Sequence, residues 1–139
     1  MKISKAFTSI LFSALMLGVC NAGIKKEIKF SKGSSLATIE ESVIRGERDL
    51  YYLTAKAGQI ITVDISALED NAVFTIFKPG AIVTVEDGFT EINGEAMPKA
   101  TETDDAKIWK GHFPISGEYL IVVGGTRGSA TYKLKISIH

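Results

Sequence analysis

Apolar and polar residues alternate with a period of two along most of the chain after Gly23, and a helical period is hard to find there. In ITVDISA, Ile61, Val63, Ile65 and Ala67 point one way while Thr62, Asp64 and Ser66 point the other. In ATYKLKISI the split is cleaner, with Ala130, Tyr132, Leu134, Ile136 and Ile138 opposing Thr131, Lys133, Lys135 and Ser137. Such segments read as strands with one face on a core and one in water. Two stretches are apolar on both faces, Tyr119–Val123 and Ala72–Phe77. Both are expected near the middle of a sheet or between two sheets. Turn residues punctuate the pattern: RGER follows SLATIEESVI, KAGQ separates LYYLTA from IITVDI, KPG ends AVFTIF, and SG precedes the apolar run. The pattern predicts an all-β fold, an antiparallel β-sandwich of about eight short strands in a single domain.

The rhythm breaks once. Between Glu86 and Asp105, Glu86, Asp87, Glu91, Glu95, Glu102, Asp104 and Asp105 face a single base, Lys99. Composition alone favours a solvated excursion between strands. The sharper alternative is a negative surface that steers a basic partner.

The first residues add an address. Lys2 and Lys5 precede an apolar run from Ala6 to Val19, and Ala22 and Gly23 are small enough for cleavage. Residues 1–22 read as a secretory signal peptide, too short to span a bilayer comfortably. Cys20 raises lipidation as a rival, but Val19 is bulky where a lipoprotein signal wants a small residue. The expected product is therefore residues 23–139, without a stable membrane anchor. It contains no cysteine, which suits a bacterial periplasm better than a disulfide-stapled extracellular setting. Losing Lys2 and Lys5 leaves 14 basic against 16 acidic residues, a net charge of −2, so nothing points to a nucleic-acid partner.

Catalytic vocabulary is sparse. His112 and His139 are the only histidines, and no metal-ligand spacing is present, so neither a metal nor another cofactor is expected. GGTRG lacks the lysine and hydroxyl of a phosphate loop. Ser116 sits in PISGEY rather than in a nucleophile elbow, and His112 is the only imidazole available to it. Carboxylates of the acidic segment lack an apolar pocket that would drive their pKa values apart. Together these residues argue against an enzyme. Ser116 and Gly117 make a good turn, and Tyr119 reads as a core aromatic whose hydroxyl reaches the rim. Arg127, at a hairpin tip between glycines, is explained least by structure: a tip needs glycines but no arginine, and a guanidinium can fork onto a carboxylate. Ser116 and Arg127 lie at the two ends of one strand, roughly 20 Å apart, which weakens a single site using both.

The stretch SGEYLIVVGGTRGSATYKL, with RGERDLYYLTAKAGQIITVDI and NAVFTIFKPG upstream, resembles the bacterial periplasmic lysozyme inhibitors from about Ile44 to the C-terminus. The resemblance is strongest to inhibitors of invertebrate-type lysozyme and next to those of goose-type lysozyme. It implies a β-sandwich whose loop enters the lysozyme cleft, with Ser116 and Tyr119 of S-G-x-Y contacting the catalytic carboxylates, Gly117 between them, and Arg127 of the TRG turn as a less secure carry-over. A lysozyme is then the expected partner, a hydroxyl or guanidinium the donor it meets, and the acidic segment an aid to encounter with a basic enzyme. The same turn pattern is similar to small β-sandwich modules that assist secretion or bind carbohydrate, which keeps that class open. Oligomeric state is left undecided, a homodimer included.

Overall fold

The computed structural model describes residues 23–139, so the signal peptide and Cys20 lie outside the described residues. Ten strands and no helix occur among the described residues, in a single sandwich domain. One sheet contains β2 (Leu36–Val43), β4 (Ile60–Ala67), β8 (Ile108–His112) and β10 (Ala130–Ile138), in the order β2-β10-β4-β8 and antiparallel throughout. The alternation of β10 is realised: Ala130, Tyr132, Leu134 and Ile136 are buried, while Lys133 and Lys135 face water. On that wet face Lys133 stands opposite Glu40 and Lys135 opposite Asp64, so unlike charges sit side by side across the strands.

The second sheet contains β1 (Lys25–Glu27), β3 (Asp49–Ala55), β5 (Ala72–Phe77) and β9 (Gly117–Gly125), in the order β1-β3-β9-β5, with β1 parallel to β3. Tyr119–Val123 is central, as its two apolar faces require. Ala72–Phe77 is not. It is the last strand of its sheet, and its apolar residues are covered instead by segments later in the chain. The 95–106 segment runs along the free edge of β5, where the Lys78 amide donates to the Glu95 carbonyl, Met97 to Ile76, Ile76 to Ala100 and Phe74 to Ala106, at 2.8–3.0 Å. An edge strand that would otherwise offer unpaired amides is thereby closed.

A third, smaller layer lies outside this sheet. β6 (Ile82–Glu86) and β7 (Phe89–Asn93) form a hairpin whose turn, Asp87 and Gly88, has φ of 52° and 81°, the left-handed pair that a two-residue hairpin favours. Val83 and Ile92 from this hairpin rest on Leu50, Phe77, Leu120 and Val122. The acidic segment is therefore not one solvated excursion: it contains β7, most of the edge-covering stretch, and the buried Ile92, Met97 and Ala100. All seven of its acidic side chains are exposed, so the charge that hid the strand pattern sits on the outer surface. Strand β7 and the three-residue β1 also lift the count above the expected eight. Between the two main sheets, Tyr51, Leu53, Phe74, Ile76, Tyr119 and Ile121 meet Val43, Ile61, Val63, Leu134 and Ile136 in one core.

Candidate functional site

Three turns meet at one end of the sandwich, and each carries one of the turn signals read in the sequence: Lys56–Gln59 between β3 and β4, Lys78–Gly80 between β5 and β6, and Phe113–Ser116 between β8 and β9. They are tied to one another. The Gly58 amide donates to the Phe113 carbonyl at 2.8 Å and the Phe113 amide to the Gln59 carbonyl at 3.1 Å. Gly117 closes the third contact. Its φ is 150°, and a Cβ there would stand 2.8 Å from Cγ of Pro79, so the close approach of two turns demands glycine.

Beneath the Phe113–Ser116 turn stands an aromatic column. Tyr119 and Phe113 stack with ring centroids 3.8 Å apart and planes 18° from parallel, and Trp109 follows at 5.7 Å from Phe113. Trp109 donates its indole N–H to the Pro98 carbonyl at 2.8 Å, tying the column to the edge-covering segment. Phe113 and Tyr119 are fully buried. The Tyr119 hydroxyl donates to the Ile115 carbonyl at 2.6 Å and accepts from the Ile115 amide at 3.2 Å, bonding a tyrosine to backbone a few residues upstream as β-sandwich tyrosine corners do. Its hydrogen is thus spent inside its own turn rather than turned to solvent.

Ser116 differs. It is exposed, and its Oγ accepts a hydrogen bond from the Ala57 amide at 2.9 Å. A hydroxyl has one proton and two lone pairs, so with an acceptor position used the O–H remains to donate outward. His112, the last residue of β8, has Nδ1 3.2 Å from the Gly58 carbonyl and is engaged with the neighbouring turn. Ser116 is left without an activating partner. Ile115 beside it is 48 % exposed and offers an apolar contact at the tip.

Arg127 lies at the other end of the molecule. β9 is nine residues long, so its two ends stand roughly 26 Å apart. The Arg127 guanidinium donates to the Glu69 carbonyl at 2.6 Å, and its own carbonyl accepts from the Asn71 side-chain amide at 3.2 Å. Asn71, 3 % exposed, also donates to Ser129 at 3.0 Å, and its carbonyl accepts from the Thr126 amide. Arg127 thereby fastens the β9–β10 hairpin to the β4–β5 turn, a structural use that its position between glycines did not disclose.

Sequence reading also passed over a polar cluster in the core. Asp49 is wholly buried, with the Tyr132 hydroxyl donating to its Oδ2 at 2.6 Å and the Tyr51 hydroxyl bonded to that of Tyr132. Burial pushes the Tyr51 phenol up to about 12, and burial together with the Asp49 hydrogen bond pushes Tyr132 higher still. Three ordinary strand residues on β3 and β10 carry no local signal that they meet. Among the described residues no group of His, Cys, Asp or Glu is placed to hold a metal ion, and no helix is long and apolar enough to cross a membrane.

The sandwich thus holds an exposed hydroxyl on a turn pinned by its neighbours. No protein-family model matches the chain and no curated protein does. Solved structures do. PliG of Aeromonas hydrophila, a periplasmic lysozyme inhibitor of g-type lysozyme, is 30% identical over 86% of this chain and 100% of its own, with a TM-score of 0.67. A mutant of the Escherichia coli PliG is 26% identical over 85% of this chain and 100% of its own, with a TM-score of 0.60. Salmonella Typhimurium PliG, 22% identical over 85% of this chain and 100% of its own at a TM-score of 0.59, shares the fold. The chain belongs to the family of periplasmic lysozyme inhibitors. These matches favour the goose-type resemblance over the invertebrate-type one that stood first in the sequence, and they give the latter no support.

Proposed function

We propose that this chain inhibits g-type lysozyme in the periplasm, and that it does so with the Phe113–Gly117 turn. The observation that carries the mechanism is the state of Ser116: exposed, anchored through its oxygen by the Ala57 amide, and free to donate its proton. A lysozyme cleft presents catalytic carboxylates, and a neutral donor held on a rigid loop can bond a carboxylate without any unusual pKa. Little ordering is needed on binding because the turn is already fixed by Gly117, Tyr119 and the Lys56–Gln59 turn, and such preorganisation raises affinity. In this reading Tyr119 is a positioning residue that acts through Ile115 and Ser116. Arg127 belongs to a separate surface. The exposed acids of the β6–β7 hairpin and of residues 95–105 speed encounter with a basic enzyme. Residues 1–22 direct export and are removed.

The test is an inhibition panel. The exported protein is titrated against goose-, invertebrate- and chicken-type lysozymes acting on peptidoglycan. Inhibition of the goose type at lower concentration than the other two is expected, and an unaffected goose-type enzyme would sink the proposal.

A further inference from the structure

Asp49 is the one charged residue that is buried among the described residues, and it is 0 % exposed. Its Oδ1 accepts from the Ile24 amide at 2.9 Å and its Oδ2 from the Tyr132 hydroxyl at 2.6 Å. Both donors are neutral. The ion pairs among the described residues are Lys78–Glu95 and Lys107–Asp70, so no lysine, arginine or histidine there compensates this carboxylate. Burial of a charge without a counter-charge is costly, and proteins seldom leave such a group alone.

The missing charge has a ready source in the residue just before the first donor. Gly23 lies against the same carboxylate: a Cβ built on it would stand 3.0 Å from Asp49 Oδ1 and 2.1 Å from the Arg48 carbonyl oxygen. Its φ is 81°. A side chain is excluded on both counts, which brings the backbone itself up to the carboxylate. The position is also held in place. The Leu50 amide donates to the Ile24 carbonyl at 2.7 Å, and the parallel pairing of Lys25–Glu27 with Leu50–Tyr52 comes directly after it. Gly23 directly precedes the Ile24 amide that already bonds Oδ1, and it is the residue that cleavage after Ala22 would make the first of the chain.

We propose that Asp49 is the receptor for the chain's own processed N-terminus: the ammonium of Gly23, created by leader removal, closes on the Asp49 carboxylate and completes the core. A signal peptidase hydrolyses the Ala22–Gly23 amide with water, leaving Ala22 as a carboxylate and the Gly23 nitrogen as a protonated amine. Before cleavage that nitrogen is a neutral amide and Asp49 has only neutral partners. The precursor is therefore the less stable form, and the sandwich tightens once the leader is removed. Dependence on pH has a definite sign. The groups facing Asp49 are Tyr132 from β10 and Tyr51 from its own strand, with Glu41 of β2 acting on Tyr51 and Arg48 adjacent in sequence. Both tyrosines have raised pKa values, Tyr51 about 12, so neither titrates where an amine does. An amine paired with a carboxylate rises above its ordinary range of about 7.7–8.0, so its stabilisation is complete below that range and is lost as pH climbs through the raised value.

Three forms decide the matter: the exported protein with its start verified by intact mass, a form with one serine ahead of Gly23 left by tag cleavage, and the Gly23 form acetylated at its α-amine. Each is melted with Asp49 intact and as Asp49→Asn. The exported form is expected to start at Gly23 and to melt several degrees above the other two, with the gap closing in Asp49→Asn. Equal melting of all three, a gap that survives Asp49→Asn, or a different first residue would overturn the proposal. Should Asp49→Asn fail to fold, titration of the ¹³C-dimethylated α-amine by NMR gives the answer. A pKa about one unit or more above a dimethylated glycine peptide is expected, and equality with that peptide overturns the proposal.

Discussion

Tyr119 grips both polar groups of Ile115, donating to its carbonyl at 2.6 Å and accepting from its amide at 3.2 Å. The residue that sequence reading would send to meet a lysozyme carboxylate is the one that shapes the turn next to it. The two neighbours differ in orientation: Ser116 is exposed, and the Tyr119 hydroxyl is bonded within the turn.

Replacing Tyr119 by Phe keeps the stacked ring and removes both bonds to Ile115. A stability loss of about 1–2 kcal/mol is expected, because the Ile115 amide and carbonyl lose a partner in a part-buried setting. Inhibition should weaken together with the melting temperature, and differential scanning fluorimetry beside inhibition constants measures both. An unchanged melting temperature would show that these bonds contribute nothing to the turn.

Ser116→Ala should separate the two readouts. The exposed hydroxyl contributes little to the fold beyond the Ala57 bond, about 0.5–1 kcal/mol. Loss of a donor to a charged group costs about 1.5–3 kcal/mol, or roughly ten- to over a hundredfold in inhibition constant. Wild-type inhibition by the mutant would leave Ser116 as a turn residue and no more.

Arg127→Ala tests the two-ended geometry. Removing the bond to the Glu69 carbonyl should lower stability slightly, by about 0.5–1 kcal/mol for an exposed partner, and shift the inhibition constant far less than Ser116→Ala does. An equally large loss of inhibition would bring the β9–β10 hairpin into the contact, on a lysozyme surface some distance from that reached by Ser116.

Alkaline unfolding reports on the core cluster. Tyr51, at about 12, and Tyr132, higher, hold their protons more tightly in the folded protein than in the unfolded chain, where a tyrosine titrates near 10. Their contribution is complete below about pH 10 and is lost as pH rises toward and through the folded values. Denaturant midpoints should fall between pH 8 and pH 11 accordingly, and Tyr132→Phe should flatten that fall. Tyrosinate absorbance that reaches the amplitude of all four tyrosines near pH 10 without unfolding would contradict the burial of both hydroxyls.

The parts of this fold visible in the sequence were those written in local pattern. β4 and β10 alternate cleanly because one face of each meets water, and the three turns of the candidate site are marked by glycine and proline where left-handed or tight backbone is needed. Ala72–Phe77 was expected mid-sheet or between two sheets; it is an edge strand, and its double-sided burial comes from the facing sheet on one side and from a third layer later in the chain on the other. β7 was hidden for the opposite reason, its exposed glutamate and tip acids drawing notice from the buried Ile92. Ser116 could be picked out as an exposed turn residue. That the Tyr119 hydroxyl turns inward is set by its pairing geometry and by Phe113 beneath it, and no spacing rule carries that information.

The stack of Trp109, Phe113 and Tyr119 ends just below Pro114, Ile115 and Ser116. Because the column carries the mechanical burden, those three tip residues are free to vary without the interior having to be rebuilt. A few exchanges at the tip can thus alter the surface that the turn presents while the interior stays as it is. Substitutions within the column would be purged for instability before selection on binding could act on them.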